Sequence, residues 1–255
     1  MGRIIAVANQ KGGVGKTTTS INLAASLAIA EKTVLLIDFD PQGNATSGLG
    51  VDREALTGSV YDLLIGRKPL AELVIHTDVP WLDLLPAHID LVGAEVELVG
   101  MNGREGILKG QLKPAVSQYD FVVIDCPPSL GLLTINALTA ADSLLIPMQC
   151  EYYAMEGLKQ LLNTLALVQK ALNPGLRIEG IVLTMFDGRN NLNNQVLNEI
   201  RSHFGDQVFK SAIPRNITLA EAPSHGKPAV FYDAVSRGAQ TYLALAKEVM
   251  AHGAA

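Results

Sequence analysis

The sequence has few aromatic residues and little cysteine. Aromatic side chains make up 5% of its 255 residues, whereas hydrophobic residues as a class make up 48% and charged residues 18%. A core of this composition rests on Ala, Val, Ile and Leu, and together with 23 glycines it favours a parallel sheet covered by helices over a β-sandwich. The same composition is too apolar for a disordered chain.

Thiol pairs and targeting segments are also missing. The two cysteines, Cys126 and Cys150, form no C-x-x-C pair, so we expect two buried thiols rather than a disulfide framework. The N-terminus lacks the layout of a signal peptide, and no uncharged stretch reaches the ~20 apolar residues of a membrane helix. We therefore expect a soluble, cytoplasmic protein.

The chain lacks an overall positive charge. Its net charge of −5 excludes a protein coated in positive charge, such as a histone-like DNA wrapper, but it allows a local basic face. Residues 177–255 hold eight Lys and Arg against seven Asp and Glu, a net charge of +1, while residues 1–176 carry −6. We expect any anionic partner to dock on this less acidic C-terminal third.

Apolar runs alternate with amphipathic segments along the chain. Short apolar runs predict strands at 4–8, 34–37, 81–85, 121–124, 143–147 and 178–184. Apolar residues at helical spacing predict helices at 17–30, 59–65, 70–75, 90–99, 104–116, 132–141, 156–172, 194–204 and 236–250, with a loop at 41–50. The alternation predicts an α/β fold with a doubly wound, mostly parallel sheet and helices on both faces. With no linker-like segment, we expect a single domain over residues 1–255.

A glycine-rich segment between the first strand and the first helix predicts a phosphate-binding loop. It consists of Lys11, Gly12, Gly13, Val14, Gly15, Lys16, Thr17 and Thr18. Glycines let backbone N–H groups curl around an anion, and the following helix points its positive end at the same anion. Lys16 is placed to contact the β- and γ-phosphates, and the Thr17 hydroxyl to bind Mg²⁺. Gln10 stands where the ordinary P-loop has its first glycine, and a second lysine, Lys11, follows it.

Acidic residues end two predicted strands. Asp38 and Asp40 follow the strand at 34–37, and Asp125 follows the strand at 121–124. Asp125 is placed as a carboxylate that binds Mg²⁺ through water, and at least one of Asp38 and Asp40 should face the γ-phosphate and position a water. Turn formation or helix capping is the alternative role for these carboxylates, above all for Asp38.

These motifs resemble those of the ParA/Soj family of chromosome and plasmid partitioning ATPases, within the deviant Walker A group of P-loop NTPases that includes MinD. The matching segments are 8–18, 38–46, 123–131, 213–216 and 221–228, so the resemblance covers nearly the whole chain. It implies that Lys11 reaches across an ATP-sandwich dimer to the partner's nucleotide, and that Lys11, Lys16 and Asp40 form the catalytic set. Asp125 matches the Walker B aspartate.

The resemblance also implies binding residues and partners. Pro214 and Asn216 match the loop that holds the adenine, so ATP and Mg²⁺ are expected ligands. Arg189 and Arg215 match arginines implicated in non-specific binding of double-stranded DNA by an ATP-dependent homodimer. The implied protein partner is a ParB-type centromere-binding protein that stimulates hydrolysis, and the implied location is the cytoplasm, at the nucleoid.

Three alternatives stay open from the sequence. The same ATPase cycle could position another cargo, such as carboxysomes or chemoreceptor arrays. A MinD-like membrane-cycling ATPase needs a basic amphipathic C-terminal helix, whereas residues 242–253 hold one lysine balanced by one glutamate. An iron–sulfur reductase of the nitrogenase iron-protein type needs two suitably placed thiols, and neither Cys126 nor Cys150 lies in such a context.

Overall fold

The computed structural model describes residues 2–114, 116–151 and 154–252. Within them, one sheet contains Arg3–Val7 (β1), Val34–Asp38 (β2), Ile75–His76 (β3), Leu82–Leu85 (β4), Phe121–Asp125 (β5), Ser143–Gln149 (β6) and Arg177–Thr184 (β7). The strand order is β3-β4-β2-β5-β1-β6-β7. Only the pairing of β3 with β4 is antiparallel in this described sheet.

Helices connect and cover the strands. Those in the described residues are Lys16–Ile29 (α1), Asn44–Gly48 (α2), Val60–Leu64 (α3), Leu91–Glu97 (α4), Ile107–Leu112 (α5), Leu132–Ala140 (α6), Ala154–Ala171 (α7), Asn191–Phe204 (α8), Ile217–Glu221 (α9), Ala229–Tyr232 (α10) and Arg237–His252 (α11). None of these helices is long and apolar enough to cross a bilayer.

The core lies on both faces of the sheet because the central strands are apolar at consecutive positions. Every residue of β2 and β5 is buried. Along β1, Ile4 and Ala6 pack into one hydrophobic cluster, with α4 to α8, while Ile5 and Val7 pack into another, with α1 and α11. The predicted α/β fold with helices on both faces is confirmed.

Several local predictions were wrong. The predicted loop at 41–50 contains α2, because Asp38 at the end of β2 accepts hydrogen bonds from the Thr46 backbone N–H and hydroxyl, both at 2.7 Å. The predicted helix at 70–75 is one 3₁₀ turn, Leu70–Glu72, followed by β3. The helix predicted at 104–116 is a 3₁₀ turn followed by α5, which ends at Leu112, and residue 115 lies outside the described residues.

Candidate active site

The loop between β1 and α1 is fixed by its glycines and by side chains from the ends of two neighbouring strands. Gly13 and Gly15 have φ angles of 72° and 83°, in the left-handed region that favours glycine. The hydroxyl of Thr184, at the end of β7, donates to the Val14 carbonyl at 2.8 Å. The side-chain amide of Gln149, at the end of β6, donates to the Gly13 carbonyl at 2.9 Å. These bonds hold the loop's carbonyls outward, so its N–H groups and the α1 N-terminus are available to an anion.

Two cavities meet at this loop and share Gly15, Thr18 and Met185. The phosphate-side cavity, of about 340 Å³, is lined by Gly12, Gly13, Gly15, Lys16, Thr17, Thr18, Asp40, Gln42, Asn44, Pro128 and Met185. The base-side cavity, also about 340 Å³, is lined by Gly15, Thr18, Thr184, Met185, Ile213, Pro214, Arg215, Asn216, Leu219, Ala220 and Tyr242. The structure thus brings residues between 12 and 242 to one cleft that consists of two adjoining cavities.

Lys16 is a buried cation in this cleft. Its Nζ donates to the Lys11 carbonyl at 3.1 Å, so the side chain folds back across the loop. Burial lowers the pKa of the Lys16 ammonium, while the nearby carboxylates of Asp125 and Asp40 oppose that shift. An anion bound in the loop would stabilise the charged form of the Lys16 side chain.

Asp38 and Asp125 face each other in register across the β2–β5 pair, and both are fully buried. Burial is the main cause that raises the pKa of each carboxyl. The two differ in their partners. The oxygens of Asp38 accept bonds from Thr46 and from the Asp40 N–H, so Asp38 organises the local backbone, the alternative role that the sequence left open.

Asp125 has unused hydrogen-bonding capacity. One oxygen accepts a bond from the Ser20 hydroxyl at 2.8 Å, and the other has no hydrogen-bond partner among the described residues. The hydroxyls of Thr17 and Ser20 both lower the pKa of Asp125, which places the Thr17 side chain beside it. A buried carboxylate oxygen without a partner, next to a threonine that lines the phosphate-side cavity, fits a water-coordinated Mg²⁺. The described residues hold no cluster of three or more His, Cys, Asp or Glu suited to a metal.

Asp40 lines the phosphate-side cavity, as the sequence suggests for one of the two carboxylates after β2. The side chain is 7% exposed, and one of its oxygens accepts a bond from the Gln42 N–H at 2.9 Å. Its charge therefore points at the same space as Lys16 and Thr17.

Lys11 lies at the rim of the loop and is half-exposed. Its ammonium forms an ion pair with Glu151, just after β6. Apart from Gly12 and its two neighbours in the chain, no heavy atom of the described residues lies within 4 Å of where a Cβ on Gly12 would stand, so packing within the chain does not require glycine there.

Sequence reasoning missed Glu151, Gln149 and Met185. Met185 follows β7, lines both cavities and has a φ of 51°, rare for a residue with a side chain. The Gln149 amide contacts its sulfur at 2.8 Å. These residues lie more than 130 positions from the loop they support, so no local motif could have identified them.

The two arginines matched to DNA contacts differ in their surroundings. Arg189 is exposed and forms a two-pronged ion pair with Asp187, at 3.0 and 2.9 Å, which lowers the pKa of Asp187 to about 2. Arg215 is exposed at the edge of the base-side cavity. A bridge between Phe186 and Pro214 places the loops that carry these arginines side by side.

The thiols that an iron–sulfur reductase would need and the apolar helix face that a membrane-cycling ATPase would need are both buried in this fold. Cys126 and Cys150 are free thiols that are both buried, and burial raises the pKa of each. In α11, Tyr242, Leu245 and Val249 are buried on the face that packs against α1. The helix thus uses its apolar face within the fold.

Comparisons with known proteins agree with this arrangement. A family model described as an AAA domain matches residues 2–178. The chain is 59% identical to the sporulation initiation inhibitor protein Soj of Bacillus subtilis, over 99% of this chain and 100% of that protein. It is 57% identical to the chromosome partitioning protein ParA of Myxococcus xanthus, over 98% of this chain and 88% of that protein.

A solved structure shows the same fold with a bound nucleotide. It is described as cobyrinic acid a,c-diamide synthase from Mycobacterium smegmatis with bound ADP and magnesium. It superposes with a TM-score of 0.88 at 39% identity, covering 100% of this chain and 96% of that one. The relatives with partitioning names are more similar in sequence than this synthase.

Proposed function

The chain belongs to the ParA/Soj family of chromosome-partitioning ATPases, and from that premise we propose that it couples ATP hydrolysis to the segregation of chromosomes or plasmids. The observation that carries the proposal is the cleft of two adjoining cavities, with Lys16, Thr17 and Asp40 in one and Pro214 and Asn216 in the other. Residues 1–255 act as one ATPase domain in this proposal, because both ends of the chain contribute to the cleft.

ATP binds with its triphosphate in the glycine-rich loop and its adenine beside Pro214 and Asn216. Lys16 and the N–H groups of the loop hold the β- and γ-phosphates. The Thr17 hydroxyl and, through water, Asp125 would hold Mg²⁺, which neutralises phosphate charge when bound. The ADP and magnesium reported for the Mycobacterium smegmatis protein support this assignment.

Asp40 positions the water that attacks the γ-phosphate. Its carboxylate faces the phosphate-side cavity, and a hydrogen bond from the Gln42 N–H fixes one oxygen. Within the described residues no arginine lines that cavity, so we expect slow basal hydrolysis that a ParB-type partner stimulates.

Lys11 completes the site of a second copy in an ATP-sandwich homodimer. In the single chain its ammonium forms a solvent-exposed ion pair with Glu151. Because an exposed ion pair contributes little stability, Lys11 can leave Glu151 and contact the partner's phosphate at a small cost in free energy. Gly12, which packing within the chain does not require, allows the two loops to approach closely.

The dimer binds double-stranded DNA without sequence preference through Arg189 and Arg215. Both arginines are exposed on adjacent loops, and dimerisation doubles the face that they form. Contacts of this kind act on phosphates and depend on salt. Hydrolysis then separates the dimer and releases the DNA, in a cytoplasmic, nucleoid-associated cycle with no membrane step.

Size-exclusion chromatography with light scattering tests this cycle. Asp40→Ala should accumulate as an ATP-bound dimer, because it binds but does not hydrolyse the nucleotide. Lys11→Ala should bind ATP and stay monomeric, whereas Lys109→Ala, which removes an exposed lysine from α5, should behave as the unmodified chain. A monomeric Asp40→Ala variant under saturating ATP, or a dimeric Lys11→Ala variant, would contradict the proposal.

A further inference from the structure

The turn 40–43 carries Asp40 and contains two internal hydrogen bonds. The Gln42 N–H donates to the Asp40 carboxylate and the Gly43 N–H to the Asp40 carbonyl, both at 2.9 Å. These bonds set the shape of the turn. Two further bonds join the ends of the turn to the neighbouring segments: the Asp40 N–H donates to the Asp38 carboxylate at 3.3 Å, and the Gly43 carbonyl accepts from the Ser47 N–H at 3.1 Å.

Arg53 adds an attachment at the middle of the turn, at Gln42. It opens a short 3₁₀ turn after α2, and its Nη1 donates to the Gln42 carbonyl at 2.6 Å. A Cβ placed on Gly43 would stand 2.7 Å from Nε and 2.9 Å from Cζ of Arg53, so the guanidinium lies directly against the Gly43 backbone. The φ of 64° favours glycine at position 43, and the absence of a Cβ there lets the guanidinium pack against the backbone.

One nitrogen of this guanidinium is buried where the side chain packs against Gly43. Nε of Arg53 is buried and has no hydrogen-bond partner among the described residues. Leaving a donor of a charged group without water or a partner costs free energy, and a surface arginine would avoid that cost by turning outward. Among the described residues Arg53 also forms no ion pair.

Arg53 does not reach the substrate side of the turn. It lines a separate surface cavity with Ser47 and His88, and it is not among the residues around the phosphate-side cavity. Its influence on the reaction must therefore pass through Gln42 and Gly43 to Asp40.

We propose that Arg53 is a positioning residue for ATP hydrolysis, which holds the turn 40–43 so that the Asp40 carboxylate stays aimed at the attacking water. This inference rests on the proposed role of Asp40. A misplacement of a catalytic group by about 1 Å can cost ~10²-fold in rate. We therefore expect loss of the Arg53 bond to slow hydrolysis without weakening the binding of ATP. ATP affinity depends on the glycine-rich loop and the base-side cavity, which Arg53 does not touch.

Steady-state phosphate release against ATP concentration tests the inference. Arg53→Met keeps the length of the side chain and removes its donors; we expect kcat to fall about tenfold or more, with KM for ATP and the thermal midpoint unchanged. Arg53→Lys, which keeps a cationic donor, should recover part of the rate. Arg53→Gln provides a second neutral variant with the same expected loss, should Arg53→Met not fold.

Two further variants separate the possible failures. Arg67→Met makes the same substitution at an exposed arginine that lies over the Tyr61 ring, and it should leave kcat unchanged. If Asp40→Ala abolishes hydrolysis while Arg53→Met and Arg53→Gln retain full kcat, or lose it only together with KM or stability, the role of Arg53 is overturned and the proposed function stands. If Asp40→Ala itself hydrolyses ATP normally, the proposed function fails first.

Discussion

Asp38 and Asp125 share a strand register, complete burial and a raised pKa, yet they do different work. Asp38 is saturated by donors from its own chain, whereas one oxygen of Asp125 is left without a partner among the described residues. The bonds to Asp38 hold the local backbone in place. The unpaired oxygen of Asp125 is available to a ligand, and its burial without a partner lowers the stability of the folded chain until a ligand binds.

We predict opposite effects on stability from the same substitution at these two sites. Asp125→Asn should raise the unfolding free energy of the nucleotide-free protein by about 1 kcal/mol or more, because it removes a buried carboxyl whose ionisation is opposed by burial and by Asp38. Asp38→Asn should lower it by ~1–3 kcal/mol, because an amide cannot accept all the bonds that Asp38 accepts. Urea unfolding without nucleotide measures both.

With bound nucleotide, the unmodified chain should become more stable to unfolding than the Asp125→Asn variant, the reverse of their order without nucleotide. Mg·ATP at 100 times its dissociation constant should stabilise the unmodified chain by about 2.7 kcal/mol and the Asp125→Asn variant by much less. An Asp125→Asn variant that is destabilised without nucleotide, or that gains as much from Mg·ATP as the unmodified chain, would contradict the assigned role of Asp125.

The packing of α11 is an element-scale feature with a measurable consequence. Leu245 is fully buried in the cluster between α11, α1 and the sheet, while Leu243 in the same helix is only partly buried. Leu245→Ala should lower the unfolding free energy by ~2–5 kcal/mol, and Leu243→Ala by clearly less. Equal, small losses by urea unfolding would mean that α11 does not pack on α1 in solution and that its apolar face is free for another surface.

Sequence patterns predicted the strands and helices that have a clear hydrophobic pattern of their own. The central strands are apolar at consecutive positions, and the long helices show a clear apolar face, so both were predicted within a few residues of their observed bounds. The short elements α2, α9, α10 and β3 were not predicted. Each has five residues or fewer, too short for a periodic pattern, and α2 also depends on the side-chain contact between Asp38 and Thr46.

The same limit applies to the site. Its phosphate loop and the aspartates at strand ends could be read locally, because parallel strands bring their carboxyl ends to one edge. Glu151, Met185 and Arg53 could not, since each acts on a segment brought close only by the completed fold.

On the scale of the whole molecule, an acidic protein is proposed to bind an acidic polymer. The net charge of −5 opposes the association of a single chain with DNA, and Asp187 partly neutralises Arg189. A dimer that doubles the Arg189 and Arg215 face would bind where one chain does not, and its release after hydrolysis follows from the weak affinity of the separated chains.

The most direct test is an equilibrium DNA-binding titration with ATP, ADP and no nucleotide, at several salt concentrations. We expect binding to duplexes of unrelated sequence with ATP alone, weakened by salt. Arg215→Ala should reduce the affinity for all duplexes alike and lower the salt slope by about 1, whereas Arg67→Ala should not. Binding that ignores the nucleotide, or no binding in any state, would contradict the account.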